Sequence, residues 1–542
     1  MPGRYLNGRQ LGGLMASELC LSGLNIGSLS SVRDGSGPAW STEYSEVLHN
    51  IEVGLLFDHA FTTFTVRVCR GCDNRYCKCQ PQSHIIPVVQ ILFNIFNLQY
   101  IGYIVCLWTY NLFFHPLRSY PGPFLRRVSR LPYCYRVMQG TYPFHILELH
   151  KKYGPVVRIA PDELAFAEPA AWKDIMGHRS HGDEMMKWSM FYRPVEDAGM
   201  VTDIVFSERE EHGALRRQLA HGFSEKSMQN QEPLIRKYVD MLIDRLHEKG
   251  QGGLAAVNMA DWYNFTTFDV IGDLAFGESF GCLEDSDYHP WVKAIFELGR
   301  VGVFFQAAAH YPMFQKLLMS LIPKSALERR QHHIDLNKAK LQKRMELGQD
   351  RPDLIEGLLQ KKDDWNLDME KLEANSALLI IGGSETTATL LSGVTYLLLM
   401  NQSALDRLTH EVRSAFSNEE DITLVSAGQL PYMLACLEEA LRMYPPVPLG
   451  LPRVVPKGGA TVAGHFVPEK VRYSLPITNH EVLMRKTVVA VHQWAMYHNH
   501  KHFRDPFSYH PERFLGDEQF ASDNRDAFQP FHTGPRNCIG RK

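Results

Sequence analysis

Several features that would assign the chain to a common class are missing from its 542 residues. Neither sign of charge dominates, since 57 Lys and Arg stand against 60 Asp and Glu, so the chain lacks the footprint of a nucleic-acid-binding protein. The spacing of the 10 cysteines does not match the disulfide framework of a small secreted protein. This favours a protein that resides in a reducing compartment. No secretory signal and no glycine-rich dinucleotide fingerprint is found. A hydrophobic content of 45% is nevertheless ample for one large core.

Residues 1–84 differ from the rest of the chain. They are rich in Gly and Ser and show no sustained period. Cys69, Cys72, Cys77 and Cys79 are spaced closely enough for a four-thiolate zinc site, but no second knuckle or small supporting fold surrounds them. We interpret 1–84 as an uninformative N-terminal extension, a product of a misplaced gene start, with the zinc site as the alternative.

Residues 85–110 form an apolar stretch without a charged residue. The stretch is long enough to span a bilayer, although Gln90, Asn94, Asn97 and Gln99 weaken that prediction because each costs free energy in hydrocarbon. Aromatic residues near its end and arginines beyond it suit a membrane anchor whose following domain is cytoplasmic. A buried or surface-lying helix is the alternative.

The remainder, 111–542, is predicted to be one domain that is mainly α with a small β-sheet region. Helices with a 3.6-residue apolar period dominate from about 210 to 440. Two short strands around a turn are predicted, one within Tyr153-Gly154-Pro155-Val156-Val157-Arg158-Ile159-Ala160-Pro161 and the other at Glu163-Leu164-Ala165-Phe166. The apolar run between 300 and 323 is predicted to pack in a core.

A glycine-punctuated loop near the end of the chain carries one cysteine, in Phe531-His-Thr-Gly534-Pro-Arg536-Asn-Cys538-Ile-Gly540. Its glycines allow turns and close approach that a β-carbon would block. Backbone N–H groups directed at the sulfur would tune a thiolate as a metal ligand. A buried cysteine in a Gly/Pro loop is the alternative to a metal ligand.

This loop resembles the haem-binding signature of the cytochrome P450 superfamily, which matches at Phe531, Gly534, Arg536, Cys538 and Gly540. The resemblance implies the cytochrome P450 fold with an N-terminal membrane anchor helix. It also implies haem b (heme b), with Cys538 as the axial thiolate ligand and Arg536 paired with an anionic group of the cofactor.

A second resemblance lies in Ala377 to Ala388, where an apolar helix contains Gly382-Gly383-Ser-Glu385-Thr386-Thr387. Adjacent glycines and a buried acid are costly within a helix, so this interruption indicates function, with a plain kink as the alternative. The pattern resembles the oxygen-binding motif of the same family. The resemblance implies that Thr386 hydrogen-bonds the activated oxygen and that Glu385 relays protons.

Further residues match motifs that hold the family's core and cofactor. Glu439 and Arg442, one helical turn apart, resemble the Glu-x-x-Arg motif, and Arg513 completes its arginine triad; an ordinary surface salt bridge is the alternative. His212 and Arg216 resemble a Trp-x-x-x-Arg pair that contacts a haem propionate, with histidine in place of tryptophan. Arg453 is implied to reach a propionate as well. By position, the apolar run between 300 and 323 resembles the family's mobile lid over the substrate pocket, with core packing as the alternative.

Two departures from the family accompany these matches. Residues 471–486 have no counterpart, and we interpret them as an insertion that arose from a retained intron. The chain also stops shortly after Cys538, whereas related proteins continue through a helix and a final β region. The resemblance therefore implies that the C-terminal end is missing.

The implied function is a haem-thiolate monooxygenase that uses O2 to oxidise a small apolar substrate in the secondary metabolism of filamentous fungi. Electrons would come from NADPH-cytochrome P450 reductase, on the cytoplasmic side of the endoplasmic reticulum membrane, where membrane lipid contacts a single-pass anchor. Three alternatives remain open: a haem-thiolate isomerase or dehydratase, an inactive truncated pseudo-enzyme, and a membrane adaptor built on the N-terminal cysteines.

Overall fold

The structure is a computed structural model. It describes residues 85–179, 184–192, 201–348, 351, 353–360, 368–472 and 484–541. The predicted extension, including Cys69, Cys72, Cys77 and Cys79, lies outside the described residues.

Helices make up most of the described chain, which confirms the predicted mainly α class. In chain order they are α1 (Ile85–Thr109), α2 (Phe124–Val128), α3 (Leu131–Met138), α4 (Tyr142–Tyr153), α5 (Ala170–Met176), α6 (Ser189–Tyr192), α7 (Arg209–Gly222), α8 (Glu225–Gly250), α9 (Met259–Phe276), α10 (Cys282–Asp285), α11 (Pro290–Ala308), α12 (Pro312–Ser320), α13 (Lys324–Glu346), α14 (Glu356–Gln360), α15 (Met369–Met400), α16 (Gln402–Ala415), α17 (Leu424–Ala427), α18 (Pro431–Met443) and α19 (Gln493–Tyr497).

Helix α1 covers almost all of the predicted anchor. Its 25 residues would extend about 37 Å at the usual helical rise. Ile91, Leu98, Ile101 and Val105 are exposed on it, so the helix has an uncovered apolar surface.

The main sheet has four strands in the order β1 (Val156–Ala160), β2 (Glu163–Phe166), β8 (Val488–Val491) and β3 (Arg453–Val454). Strands β1 and β2 form the predicted antiparallel pair. Strand β8 comes from more than 300 residues later and lies parallel to β2, with Glu163 opposite Val488. All four strands are buried, including the charged residues Arg158 of β1, Glu163 of β2 and Arg453 of β3.

Two hairpins lie between β3 and β8 in the sequence. Strands β4 (Ala460–Val462) and β5 (His465–Val467) form one antiparallel hairpin. Strands β6 (Lys470–Arg472) and β7 (Met484–Lys486) pair at the two ends of the predicted insertion, with Lys470 opposite Lys486. The two ends of 471–486 are therefore adjacent in space.

Helix α15 forms the centre of the helical part and packs along α9. A Cβ on Gly383 would lie 2.8 Å from Ile271 Cδ1 of α9, so glycine allows this close approach. By length and composition α15 could cross a membrane. Its buried face, which includes Leu372, Leu379 and Ile380, instead belongs to the largest apolar cluster of the described chain.

Helices α11 and α12 contain the apolar run predicted to be a core segment or a lid. The end of α11 is buried at Ala307 and Ala308, whereas Met313, Phe314 and Leu317 of α12 are exposed. Core packing therefore accounts for only part of the run.

Candidate functional site

The cysteine loop has a backbone that requires glycine at one position. Gly534 has φ +81°, and a Cβ there would lie 1.9 Å from the carbonyl oxygen of Met176. The Cys538 N–H donates to the Phe531 carbonyl oxygen over 2.9 Å and closes the loop. The loop is thus fixed against α5, and Cys538 is held at its far end.

Cys538 is an exposed free cysteine. Partial desolvation raises the pKa of its thiol, while a hydrogen bond from the Gly540 backbone and the positive charge of Arg216 oppose this rise. A Cβ on Gly540 would lie 4.0 Å from the sulfur, so glycine keeps the space beside the thiol open. Such a sulfur can ligate a metal, because coordination removes the thiol proton.

Arg216, predicted to contact a propionate, contacts the cysteine loop itself. It donates to the Asn537 carbonyl oxygen and to Asn537 Oδ1, each over 2.6 Å. His212 lies one turn earlier on α7 and is buried. Burial, followed by the charges of nearby arginines and Lys187, lowers the pKa of His212 to about 4, so this histidine is neutral at pH 7.

Arg536 and Arg453 share a single carboxylate. Arg536 Nε donates to Glu184 Oε1 over 2.5 Å, and Arg453 Nη1 lies 3.8 Å from the same oxygen. Arg536 also donates to the Ser207 carbonyl oxygen over 3.0 Å. Its other terminal nitrogen is buried without a hydrogen-bond partner in the described part of the chain.

Two residues that were not predicted from the sequence, Lys187 and Tyr192, lie beside Arg453 and Arg536. Lys187 pairs with Arg453 in an antiparallel β-bridge and donates to the Val205 carbonyl oxygen over 2.5 Å. Burial and the charges of Arg453 and Arg536 lower the pKa of Lys187 to about 7. The Tyr192 hydroxyl is buried, and no described residue hydrogen-bonds to it. No motif marks either residue.

We call Lys187, Tyr192, His212, Arg453 and Arg536, together with Glu184, the cationic cluster. A cavity of about 250 Å³ reaches it and is lined by Glu184, His212, Arg216 and Pro535 among others. Two carboxylates act on the cluster, since Glu184 contacts Arg536 and Arg453 and the charge of Asp203 acts on Lys187. Two donors in the cluster, Arg536 Nη2 and the Tyr192 hydroxyl, have no hydrogen-bond partner among the described residues. Buried charges require partners, so these residues fit an anionic group such as a carboxylate of a bound cofactor.

The predicted pair on α15 lies within one helical turn. Thr386 Oγ1 donates to the Gly382 carbonyl oxygen over 2.7 Å, so this carbonyl accepts a hydrogen bond from a side chain. Glu385 is partly buried, and its negative charge contributes to the raised pKa of Tyr288. An acid and an alcohol are thus adjacent on the central helix.

Glu439, Arg442 and Arg513 form a second buried cluster, which we call the core cluster. Arg442 donates to both carboxylate oxygens of Glu439, each over 2.7 Å, and also to the carbonyl oxygens of Tyr497 and Pro506. Arg513 lies 3.2 Å from Glu439 and pairs with Asp523. None of the three predicted residues is more than 1% exposed, so this is not the surface salt bridge considered as the alternative.

A family model for cytochrome P450 matches residues 130–542. The chain belongs to the cytochrome P450 family. Members of this family carry a haem whose iron is bound by a cysteine thiolate, which confirms the predicted cofactor class.

Curated relatives agree with this assignment. The chain is 46% identical over 433 residues to the cytochrome P450 monooxygenase prhB of Penicillium brasilianum, covering 80% of this chain and 85% of the relative. It is 44% identical over 478 residues to the cytochrome P450 monooxygenase tpeC of Talaromyces stipitatus, with coverages of 85% and 88%. It is 44% identical over 443 residues to the trichothecene C-15 hydroxylase of Fusarium sporotrichioides, with coverages of 81% and 86%.

The relatives confirm the predicted enzyme class, so this P450 is a monooxygenase of the fungal type. Cytochrome P450 monooxygenases act on substrates together with redox partner reductases. The roles of individual site residues and the domain boundaries stay predictions.

Proposed function

We propose that Cys538 holds the haem iron of this monooxygenase, which oxidises a small apolar substrate in fungal secondary metabolism. The observation that carries the assignment is the juxtaposition of Cys538, closed into a loop that only glycine permits at Gly534, with the cationic cluster. The relatives support the substrate class, because one of them is named as a trichothecene hydroxylase.

Each part of the site has a separate task in this proposal. Bound haem supplies the activation of dioxygen, which electron donation from the thiolate promotes. Arg453, Arg536 and His212 bind its anionic groups, and Arg216 holds Asn537 and thereby orients the cysteine loop. Phe531 and Gly540 shape the loop around the sulfur.

Proton supply falls to Glu385 and Thr386 on α15. Glu385, partly buried, carries a proton inward from the solvent side of the helix, and the Thr386 hydroxyl passes it on by hydrogen bonding. An isomerase or dehydratase that starts from a preformed peroxide does not need this pair. The monooxygenase reaction is therefore the better match to α15.

The domain boundaries follow from the same proposal. Residues 85–110, which include all of α1, anchor the enzyme in the endoplasmic reticulum membrane, where membrane lipid covers the exposed apolar side chains. Residues 111–542 form the cytoplasmic catalytic domain. NADPH-cytochrome P450 reductase supplies electrons there.

Residues 471–486 are an insertion that the fold tolerates. Lys470 and Lys486 pair across β6 and β7, so joining Lys470 to Thr487 removes a closed hairpin and leaves β5 and β8 in place. Transcripts that lack the corresponding segment would support the retained intron. Uniform retention beside well-supported splice sites would contradict it.

Replacing the proposed ligand tests the function directly. Cys538→Ala should abolish the strongly red-shifted Soret band of the reduced, carbon monoxide-bound protein, because that band requires thiolate ligation. Cys106→Ala, which removes another exposed cysteine, should leave the band unchanged. An unchanged band in Cys538→Ala would disprove the assignment.

A further inference from the structure

Two buried rings join the segment beside the cationic cluster to the end of helix α11. The rings of Trp188 and His310 are stacked, with 5.5 Å between their centroids and 29° between their planes. Trp188 is 9% exposed and His310 is 5% exposed, so water is largely excluded from the contact. Stacked ring pairs stabilise a structure beyond the apolar area that they bury. The stack therefore favours one relative position of the two segments.

Trp188 belongs to the segment that carries part of the cationic cluster. Lys187 precedes it in the chain and pairs with Arg453 in the β-bridge. Glu184 of the same segment accepts a hydrogen bond from Arg536 of the cysteine loop. A movement of the Trp188 ring is therefore close enough to be felt by residues that we assign to the cofactor.

The Trp188 ring is held firmly on its own side of the stack. The guanidinium carbon of Arg130 lies 4.6 Å from the centre of the ring. Arg130 is itself fixed by buried salt bridges to Asp162 over 2.6 Å and to Glu163 over 2.7 Å. The Trp188 N–H also donates to the Pro452 carbonyl oxygen over 3.4 Å. Trp188 thus offers a fixed surface, and His310 is the member of the pair that can leave.

His310 lies in the short connection between α11 and α12. Its ring also contacts the ring of Tyr133 on α3, at 5.3 Å between centroids and nearly perpendicular. Just before it, the Ala307 carbonyl oxygen accepts a hydrogen bond from Cys134 Sγ of α3. Helix α12 begins two residues after His310, at Pro312. The buried contacts of this connection therefore end where α12 starts.

Helix α12 itself presents an apolar surface. Met313 is 88% exposed, and Phe314 and Leu317 are also exposed. An apolar ligand would contact such a surface readily, because the contact removes apolar area from water. The stack of Trp188 and His310 thus joins an exposed apolar surface directly to the segment beside the candidate haem site.

We propose that the stack of Trp188 and His310 is a latch on the path of bulky apolar ligands to the haem, and that His310 is the positioning residue that keeps α12 closed. Opening the latch separates the two rings and lets α12 move away from residues 184–192. A small ligand passes without this movement. The latch closes with and without a ligand, so breaking it changes the rates of entry and exit more than the equilibrium affinity. This inference rests on the proposed function.

Ligands of two sizes test the latch on the haem-loaded protein. We would mix the protein rapidly with imidazole or with clotrimazole, a bulky apolar azole, and follow the Soret band. In His310→Leu, clotrimazole should bind and dissociate about 3-fold to 10-fold faster, while its Kd changes by less than about twofold. The rates for imidazole should stay unchanged. Amide hydrogen exchange at residues 309–321 should also accelerate, which reports on the latch independently of the haem iron.

Further variants separate the ring contact from a general loosening of the fold. His310→Phe keeps a ring against Trp188 and should retain the slow clotrimazole rates. Trp188→Leu should match His310→Leu, and the double variant should be no faster than either, because both changes remove the same contact. His410→Leu, which changes an exposed histidine on α16, is the matched control and should leave every rate unchanged.

Several outcomes would overturn the proposal. Unchanged clotrimazole rates in His310→Leu or in Trp188→Leu would do so, and either variant decides the matter alone if the other does not fold. Equal acceleration of imidazole and clotrimazole would indicate a general loosening, and additive effects in the double variant would exclude a shared contact. Failure of the proposed function is distinct, because neither azole would then shift the Soret band of the unaltered protein.

Discussion

Two buried clusters in this molecule both combine arginines with glutamate, but they differ in how many of their hydrogen-bond donors have a partner. In the core cluster, Arg442 and Arg513 meet the carboxylates of Glu439 and Asp523 and several backbone carbonyl oxygens. In the cationic cluster, Arg453 and Arg536 share one oxygen of Glu184. The first cluster is satisfied by the chain, and the second retains unused donors.

The contrast separates structural charge from charge reserved for a ligand. Removing one partner from a satisfied buried network leaves another charge uncompensated, so stability falls. Removing a cation from a cluster that already has excess positive charge relieves repulsion. We therefore expect it to lower ligand affinity more than it lowers folding stability. Burial alone does not distinguish the two cases, whereas the inventory of partners does.

The largest effect is expected in the core cluster. Arg442→Met should lower the free energy of unfolding by about 3–5 kcal/mol, because Glu439 stays buried with one of its cations removed. Urea unfolding followed by circular dichroism measures this loss. Arg413→Met, an exposed change on α16, is the matched control and should change stability by less than about 0.5 kcal/mol. A loss in Arg442→Met no larger than in the control would break the comparison.

A smaller and different effect is expected for Arg536→Met in the cationic cluster. Haem affinity should fall roughly 10-fold to 100-fold, since charge-assisted hydrogen bonds contribute about 1.5–3 kcal/mol. The free energy of unfolding without haem should change by no more than about 1 kcal/mol, because the remaining cations are less repelled. Haem titration and urea unfolding measure the two quantities, with exposed Arg217→Met as the control. If Arg536→Met lowered the free energy of unfolding as much as Arg442→Met does, the two clusters would have the same structural role and the distinction between them would be wrong.

The smallest effect is expected when the acid of the cationic cluster, Glu184, is neutralised. Glu184→Gln removes the carboxylate that competes with a cofactor anion for Arg536 and Arg453. Haem affinity should therefore rise by a few-fold, about 0.5–1 kcal/mol for a partly exposed pair. A haem titration of this variant beside Glu210→Gln, an exposed acid on α7, provides the measurement. Weaker haem binding in Glu184→Gln would show that Glu184 supports the cationic cluster instead of competing.

Much of the fold could be predicted because its signals are local. The helical period between 210 and 440 and the turn between β1 and β2 each depend on a few neighbouring residues. Glu439 and Arg442 are also neighbours on one helix. Their burial, which decides whether the pair is structural, depends on Arg513 from a distant segment.

The remaining site residues could not be found this way because their contacts are long-range. Lys187 joins the cationic cluster through a β-bridge to Arg453, and Glu184 through a salt bridge to Arg536, more than 300 residues later. The parallel pairing of β2 with β8 likewise joins distant segments. Neither the spacing of residues nor the composition of the sequence predicts these pairings, because the paired residues come together only in the folded chain.

The close approach of Gly534 to Met176 has a practical consequence for laboratory evolution of this enzyme. Any other amino acid at position 534 would need both an unfavourable backbone and a displaced α5, whatever substrate is selected. Saturating that codon would fill a library with inactive clones. Randomisation is better directed at positions away from the cysteine loop, where side chains can change while that loop stays intact.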